Sequence, residues 1–422
     1  MSEQLSGQPF SQSSSPAITS PKHRRGIFYN VPASGHINPS LPVVAELVRR
    51  GHRIVYYATE ASREKVEATG AEFRAYPLPV TDHFFEINNL DGSNPPASAA
   101  LLAETSAELL PGLIAEAREL QPDFILYDSM TPWGWMIAEA LGLPSVSSTA
   151  LLMLTPAMMF RPRALPSLMR VTLKGLPKIR TYGRVMRQIG KQYGFKPLRF
   201  VEVFNAPAHL TLNYTSQVFQ PGAKGLDERI RFVGPSIGAR NDSNGFPFEK
   251  LDTSKPLIYI SLGTVINANR AFFRACIDAF QDAPYQVVMS LGERVRLPDL
   301  GRIPVNFIVL PSVPQLQILE RAALFITHGG MNSVQEGLYY NVPLLMVPQQ
   351  DEQTFVARRV EELGAGLMLA KDQVTAARLV ALTEQLLRER SFKTQAEMVG
   401  ASLRQAGGYR RAVDEIERFL DR

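Results

Sequence analysis

The segment Thr327-His-Gly-Gly-Met-Asn-Ser-Val-Gln-Glu-Gly carries the residue types that bind phosphate. It follows an apolar run typical of a buried strand and precedes a run with helical spacing. Backbone N–H groups at such a helix start attract anions, and the two glycines allow close approach. His328 can add a positive charge or a hydrogen bond, Ser333 a hydroxyl, and Glu336 a carboxylate for ribose hydroxyls one turn further on. A plain helix cap is the alternative, but the combined spacing favours a nucleotide site.

His36 and Asp128 form a second group with chemical potential. Each follows an apolar strand-like run, so each is expected at the carboxyl end of a strand, where open α/β sheets bind ligands. We expect His36 in a loop that spans residues 32–39. An imidazole takes a proton from a hydroxyl near neutral pH when an acid fixes its orientation. A surface histidine and a helix-capping aspartate are the alternatives.

These residues need a scaffold of alternating strands and helices. Strand-like runs lie at 26–31, 53–58, 124–127, 144–147, 257–262, 286–290, 306–310, 324–327 and 344–347. Helical spacing appears at 41–50, 136–141, 270–280, 314–321, 333–340, 354–363 and 412–420. This alternation is typical of parallel sheets covered by helices. We therefore predict an α/β protein with two Rossmann-like, doubly wound domains that face each other across a cleft.

The length of 422 residues agrees with two or three domains at roughly 150 residues each. A Ser-, Gln- and Pro-rich start predicts a disordered tail, and a polar stretch at 241–245 suits a linker. The predicted segments are a tail at 1–25, an N-terminal domain at 26–235, a linker at 236–255, a C-terminal domain at 256–405, and a helix at 406–422 that packs back on the N-terminal domain.

Composition excludes several classes of protein. Hydrophobic residues make up 45% and charged residues 20%, which is ordinary for a globular chain. The single cysteine, Cys276, excludes an intrachain disulfide and suits a reducing compartment, and no leader-like apolar segment is visible, so a cytoplasmic location is expected. The six histidines lack metal-ligand spacing, Asp-x-Asp is absent, and no Gly-x-Gly-x-x-Gly follows a strand. We therefore expect neither a metal nor a nicotinamide cofactor.

The net charge of +5 is concentrated in one segment, 161–199, which contains basic but no acidic residues. A general affinity for nucleic acid is therefore not indicated. The segment could form mobile solvated helices around a binding pocket, or an interfacial helix on anionic lipid. Pro162, Pro166 and Pro177 are expected to break a long continuous helix, which favours the first interpretation.

The motifs from Val313-Pro-Gln-Leu through His328-Gly-Gly-Met-Asn-Ser to Pro348-Gln-Gln-Asp-Glu-Gln353 resemble the nucleotide-sugar signature of UDP-dependent glycosyltransferases with the GT-B fold. Gly35-His36-Ile-Asn-Pro matches their N-terminal motif, and bacterial macrolide- and flavonoid-type members are the most similar. The resemblance implies that the C-terminal domain binds a UDP-sugar. Its implied donor-binding residues are Ser261, Gly263, Thr264, Val313, Gln315, His328, Gly329, Gly330, Asn332, Ser333, Glu336, Glu352 and Gln353.

Within this resemblance, Val313 and Gln315 would hold uracil, Glu336 the ribose, and the residues around His328 the diphosphate. Glu352 and Gln353 would hold the sugar. Many relatives have Asp-Gln at these two positions, and UDP-glucose is the expected donor. Asp351 precedes the pair, so a shift of one residue could also present an aspartate.

The resemblance further implies an inverting, metal-independent transfer with His36 as general base and Asp128 as its partner. The acceptor would be an apolar hydroxylated molecule such as a polyketide, macrolide or flavonoid, bound by the N-terminal domain. Candidate acceptor-binding residues are Ile37, Met153, Met158, Met159 and Phe160. A membrane lipid, sterol or carotenoid acceptor is the alternative within this class. A UDP-sugar epimerase and a non-catalytic sugar-nucleotide binding module are alternatives of other classes, and the sequence does not indicate an oligomeric state.

Overall fold

The first sheet is built from strands that alternate with helices along the N-terminal half. The computed structural model describes residues 23–31, 33–77, 94–153, 155, 165–238, 245–263 and 269–422. The strands are β1 Arg25–Tyr29, β2 Arg53–Ala58, β3 Glu72–Ala75, β4 Phe124–Asp128, β5 Ser145–Thr149, β6 Leu210–Asn213 and β7 Ile230–Phe232. They pair in parallel in the order β3-β2-β1-β4-β5-β6-β7. The strand order therefore reverses between β1 and β4.

Helices cover both faces of this sheet. They are α1 Ser34–Arg49, α2 Arg63–Glu67, α3 Pro95–Leu120, α4 Pro132–Leu141 and α5 Leu165–Tyr193. Alternate residues of β1 point to opposite faces, as the period of a strand requires. Ile27 and Tyr29 pack in a core with α3, α4 and α5, whereas Phe28 packs in a second core with α1.

The C-terminal half repeats this plan. Its strands are β8 Leu257–Ser261, β9 Gln286–Ser290, β10 Phe307–Leu310, β11 Ala322–Thr327, β12 Leu344–Met346 and β13 Gly366–Met368, in the parallel order β10-β9-β8-β11-β12-β13. Its helices are α6 Arg270–Phe280, α7 Gln315–Leu319, α8 Met331–Tyr339, α9 Asp351–Glu362, α10 Ala376–Arg388 and α11 Arg390–Gln405. A hydrophobic core lies on each face of the sheet. The predicted fold class, two doubly wound α/β domains, is confirmed.

The last helix, α12 Gly408–Leu420, packs on the N-terminal domain. Its apolar residues Ala412, Val413 and Ile416 are fully buried in the core that contains α1. At the rim of this contact, Arg50 Nη1 lies 2.7 Å from Asp414 Oδ1 and 2.7 Å from Glu417 Oε2. The chain thus returns to the first domain after completing the second.

Helix α1 begins earlier than predicted. The expected loop at 32–39 is wrong from Ser34 onward, because the helix starts there and includes Pro39 and Pro42. A proline inside a helix leaves the carbonyl four residues earlier without its helical donor. For Pro39 that carbonyl belongs to Gly35, and it accepts a hydrogen bond from Asn332 Nδ2 at 2.8 Å instead.

The expectation that prolines break the basic segment is also wrong for residues 165–193. These residues form one helix, α5, with Pro177 inside it. Tyr182, Met186 and Ile189 are buried in the core with α3, and this packing outweighs the local cost of the proline. Residues 239–244 of the expected linker at 236–255 lie outside the described residues, as do Pro162 and the other residues at 156–164. Among the helices that the structure describes, none combines the length and apolarity that crossing a membrane requires.

Candidate active site

His36 and Asp128 meet at the point where the first sheet reverses its strand order. Asp128 is the last residue of β4, and β4 pairs with β1, whose chain leads directly into α1 and His36. His36 Nδ1 lies 2.8 Å from Asp128 Oδ2. The structure therefore brings the two predicted residues together, in the crevice where doubly wound sheets bind ligands.

The surroundings of Asp128 fix the orientation of the imidazole. The aspartate side chain is 1% exposed, and its second oxygen, Oδ1, accepts a hydrogen bond from the Met130 backbone N–H at 2.8 Å. A buried carboxylate with this partner accepts the hydrogen of Nδ1. Nε2, on the other side of the His36 ring, is then the basic nitrogen.

Three influences set the proton affinity of His36. Burial lowers its pKa, but the charge and hydrogen bond of Asp128 and the charge of Glu352 raise it, and the pKa ends above its ordinary value. More of the imidazole is therefore protonated near neutral pH than in a free histidine. The basic form increases as the pH rises through this pKa.

Sequence reasoning missed the residues that support the helical turn behind His36. Asn30 Nδ2 donates to the His36 carbonyl at 3.4 Å and to Ser40 Oγ at 3.0 Å. Ser40 Oγ donates to the Ile37 carbonyl at 2.8 Å and lies 2.7 Å from the Tyr56 hydroxyl. Asn30 and Ser40 are fully buried. The signal available in the sequence was a polar residue, Asn30, within the apolar run predicted as a strand at 26–31.

The predicted phosphate site lies at the corresponding reversal point of the second sheet. Strand β8 lies between β9 and β11, and Ser261 at its end pairs with Thr327 at the end of β11. The ring of His328 lies between two glycines. A Cβ on Gly263 would be 2.6 Å from His328 Cε1, and one on Gly330 would be 2.4 Å from Nε2. Both glycines are therefore required for the ring to occupy this position.

His328 is neutral near pH 7 in this arrangement. Burial lowers its pKa to about 4, although a hydrogen bond with the Ser261 backbone opposes the change. Of the two roles considered from the sequence, a hydrogen bond rather than a positive charge fits the structure. A bound diphosphate would raise this pKa, because a nearby negative charge favours the protonated form.

The residues expected to hold uracil and ribose lie together. Gln315 Nε2 donates to Glu336 Oε2 at 2.6 Å, and the Tyr259 hydroxyl donates to Gln315 Oε1 at 3.0 Å. Tyr259 was not predicted. Helix α8 begins at Met331, two residues earlier than expected, so Asn332 and Ser333 lie in its first turn beside the His328 loop. Val313 is buried in the core that also contains Tyr259.

The two residues expected to hold the sugar lie in different surroundings. Glu352 is exposed in the first turn of α9, but the surrounding protein limits hydration of its carboxylate and raises its pKa, while His36 lowers it. Gln353 is buried, and its Oε1 accepts from the Gln349 backbone N–H at 2.8 Å. Glu352 therefore lies near the general-base candidate, whereas the Gln353 amide holds the turn before α9.

The acceptor-binding candidates are only partly described. Ile37 is 3% exposed and packs in the core beneath α1, so it is a core residue here rather than an exposed pocket residue. Its position follows from the early start of α1, which turns residue 37 toward the sheet. Met153 is buried, and its backbone forms hydrogen bonds with the Gln220 side chain. Met158, Met159 and Phe160, and the donor-site candidate Thr264, lie outside the described residues.

Direct contacts join the two domains around the cleft. Asn332 of α8 reaches Gly35 of α1, and Arg359 of α9 donates to the carbonyls of Val218 and Phe219 at 2.7 and 2.9 Å. These contacts place the His36–Asp128 pair and the His328 loop on facing sides of one crevice. Two parallel-sheet α/β domains in this arrangement define the GT-B class of glycosyltransferases.

Comparisons with known proteins agree with this class. Residues 274–405 match the family described as the C-terminal domain of erythromycin biosynthesis protein CIII-like proteins. An uncharacterized UDP-glucosyltransferase of Bacillus subtilis, YojK, is 35% identical over 91% of this chain and 95% of its own length. The NDP-glycosyltransferase YjiC of Bacillus licheniformis is 36% identical over 94% of this chain and 98% of its own length.

Among solved structures, the calicheamicin glycosyltransferase CalG4 superimposes with a TM-score of 0.80 at 28% identity, over 95% of this chain and 99% of that one. The chain belongs to the UDP-dependent glycosyltransferases of the GT-B fold, and it is an enzyme.

Proposed function

We propose that this enzyme transfers glucose from UDP-glucose to a hydroxyl group of an apolar small molecule such as a polyketide, macrolide or flavonoid, with inversion at the anomeric carbon. The observation that best supports this proposal is the His36–Asp128 pair, which faces the His328 loop across the cleft. The names of relatives support the donor and acceptor classes, since one is a UDP-glucosyltransferase and another a calicheamicin glycosyltransferase.

In the proposed reaction, Nε2 of His36 removes the proton of the acceptor hydroxyl. The acceptor oxygen then bonds to the anomeric carbon as the bond from that carbon to the UDP oxygen breaks on the opposite face. The sugar passes through an oxocarbenium-like state, as in the reactions of glycosidases. Asp128 keeps Nδ1 as the donor and offsets the charge that develops on the ring, as a carboxylate does for a catalytic histidine.

The departing UDP would be stabilised by the first turn of α8 and its flanking loops. The negative charge on the diphosphate increases in the transition state, so backbone donors aimed at it lower the barrier. Proposed contacts with the diphosphate are Ser261, Gly263, Thr264, His328, Gly329, Gly330, Asn332 and Ser333. Gln315 and Val313 would hold uracil, Glu336 the ribose, and Glu352 and Gln353 the sugar.

Incubation with UDP-glucose and a panel of phenolic, polyketide and macrolide alcohols tests this proposal. Mass spectrometry should show a hexose added to at least one acceptor, and NMR should show the β-anomer, because UDP-glucose is an α-glycoside. An α-linked product would exclude inversion. Conversion of UDP-glucose to another UDP-sugar without acceptor would indicate an epimerase, and UDP binding without release of product would indicate a binding module.

Metal independence is part of the same proposal. The sequence has no Asp-x-Asp, and helix α8 with its glycine loop offers donors that can neutralise the diphosphate. Excess EDTA should leave most of the activity intact. If EDTA abolished the activity and Mg²⁺ restored it, metal independence would be contradicted. The assignment of His36 would still be decided by its own test.

A further inference from the structure

The carbonyl of Gly35 is held by the opposite domain. Within α1 its helical donor would be the N–H of residue 39, but that residue is Pro39, which has none. Asn332 Nδ2, from the first turn of α8, lies 2.8 Å from this carbonyl oxygen. An interdomain hydrogen bond thus replaces one that the helix cannot make, one residue before His36.

We propose that Asn332 is a positioning residue that fixes His36 relative to the sugar donor. The inference rests on the proposed role of His36 as the general base. A general base must lie within hydrogen-bond reach of the proton it removes, and the attacking oxygen must be aligned with the anomeric carbon. Because His36 and the donor site lie on different domains, their separation depends on contacts between the domains.

The turn that carries His36 is held at three successive carbonyls. The carbonyl of His36 accepts from Asn30 Nδ2 at 3.4 Å and that of Ile37 accepts from Ser40 Oγ at 2.8 Å, both within the N-terminal domain. Only the first carbonyl of the three, that of Gly35, is held by a side chain of the C-terminal domain. Asn30 and Ser40 therefore fix the turn to its own sheet, and Asn332 fixes it to the donor domain.

The side-chain amide of Asn332 also connects the turn that carries His36 to the site proposed for the sugar nucleotide. An asparagine nitrogen carries two hydrogens, and the bond to Gly35 uses one of them. Asn332 lies one residue after the start of α8, where backbone N–H groups face the proposed diphosphate. The second hydrogen can therefore reach a phosphate oxygen. Occupation of the donor site would then stabilise the position of Asn332, and with it the position of the His36 turn.

Two substitutions distinguish the bond of Asn332 to Gly35 from its proposed bond to phosphate. Asn332→Ala removes the bond to Gly35 and the proposed bond to phosphate. Pro39→Ala leaves Asn332 in place but gives α1 its own N–H donor for the Gly35 carbonyl. Pro42→Ala is the matched control, since it removes a proline from the same helix, and the carbonyl four residues earlier belongs to Asn38.

We expect Pro39→Ala to lower kcat about three- to tenfold with an ordinary alcohol acceptor, roughly the effect of one neutral hydrogen bond, and to leave the Kd for UDP within twofold. Asn332→Ala should lower kcat similarly and weaken UDP binding as well. With an acidic phenol assayed above its pKa, both variants should lose less kcat, because proton removal is then not required of His36. Pro42→Ala should keep near wild-type kcat with both acceptors.

Equal losses on the alcohol and the phenol, or equal kcat for Pro39→Ala and Pro42→Ala, would overturn the positioning role. The double variant Pro39→Ala/Asn332→Ala adds a second criterion, since residues that act through one contact give non-additive effects on kcat. Fully additive losses would also overturn it. Failure of the proposed function is distinguishable, because the wild-type enzyme would then transfer no sugar to the alcohol. Failure of the His36 role would appear as wild-type activity of His36→Ala on the alcohol, whatever the Asn332 variants do.

Discussion

His36 Nδ1 and Asp128 Oδ2 lie 2.8 Å apart although 92 residues separate them in the chain. The contact follows from the order of the first sheet, in which β1 and β4 are neighbours and their carboxyl ends meet at one edge. His36 comes from the helix that follows β1, and Asp128 ends β4. The pairing is therefore a consequence of a doubly wound topology and not of local sequence.

Substitution of His36 tests the general base directly. His36→Ala should lower kcat roughly 10²- to 10⁴-fold on an alcohol acceptor, the usual contribution of a general base. The Kd for UDP, measured by calorimetry, should remain unchanged because the nucleotide residues lie on the other domain. With a phenol that is already ionised as the acceptor, His36→Ala should lose less activity. Near wild-type turnover of the alcohol would remove His36 from the mechanism.

The pH dependence of transfer should reflect the charges around His36. Asp128 and Glu352 raise its pKa, so kcat/KM should fall as the pH drops through a value above the ordinary pKa of histidine. Glu352→Gln removes one of these charges, so the acidic limb should move to lower pH. Asp351→Asn, at the neighbouring exposed carboxylate, is the matched control and should leave the limb in place. If the acidic limb stayed in place in both variants, the charge of Glu352 would have no effect on the pKa of His36.

More of the second domain than of the first was visible in the sequence, since strands β3, β6 and β7 and helix α3 of the first domain were not predicted. The buried strands β2 and β9 and the helix α6 have their predicted bounds, because continuous apolar runs and a strong helical period are local signals. Strand β13, Gly366–Met368, was missed because it begins with a glycine and is only partly buried, whereas the equally short β12 is a fully buried apolar run.

The candidate site was predictable as residue types but not as geometry. The early start of α1 was hidden because Pro39 normally argues against a helix, and the donor that replaces its N–H comes from Asn332, almost 300 residues away. The use of the Gln353 amide in the turn before α9 was hidden for the same reason, since it depends on Gln349 being placed by the fold. Side-chain partners across elements leave no local period.

His328 should bind the diphosphate first as a neutral donor. Its pKa of about 4 leaves it uncharged at pH 7, and bound diphosphate should raise that pKa. UDP affinity of the wild-type enzyme should therefore increase as the pH falls from 7 toward 5, relative to His328→Gln, which cannot take up the proton. The comparison cancels protonation of UDP itself. Calorimetry in buffers of different ionisation enthalpy measures the proton uptake, and identical pH profiles would exclude it.

The basic helix α5 provides the last prediction, which concerns the choice between a dissolved and a membrane acceptor. An interfacial helix needs an apolar face that can enter the lipid. In α5 from residue 175 to residue 193, the apolar residues Tyr182, Met186 and Ile189 are buried against the core with α3, and most of the exposed side chains are basic. Its exposed bases in the described half are Lys178, Arg180, Arg184, Arg187 and Lys191.

Charge alone contributes about 1 kcal/mol per base near an anionic membrane and is screened by salt. We therefore expect the enzyme to sediment with phosphatidylserine vesicles at low ionic strength and to be released at physiological ionic strength. Arg184→Glu/Arg187→Glu should abolish the low-salt binding, and neutral phosphatidylcholine vesicles should not bind at any salt concentration. Retention on phosphatidylserine vesicles at physiological ionic strength would contradict the buried apolar face of α5, and it would favour a lipid, sterol or carotenoid acceptor over a dissolved one.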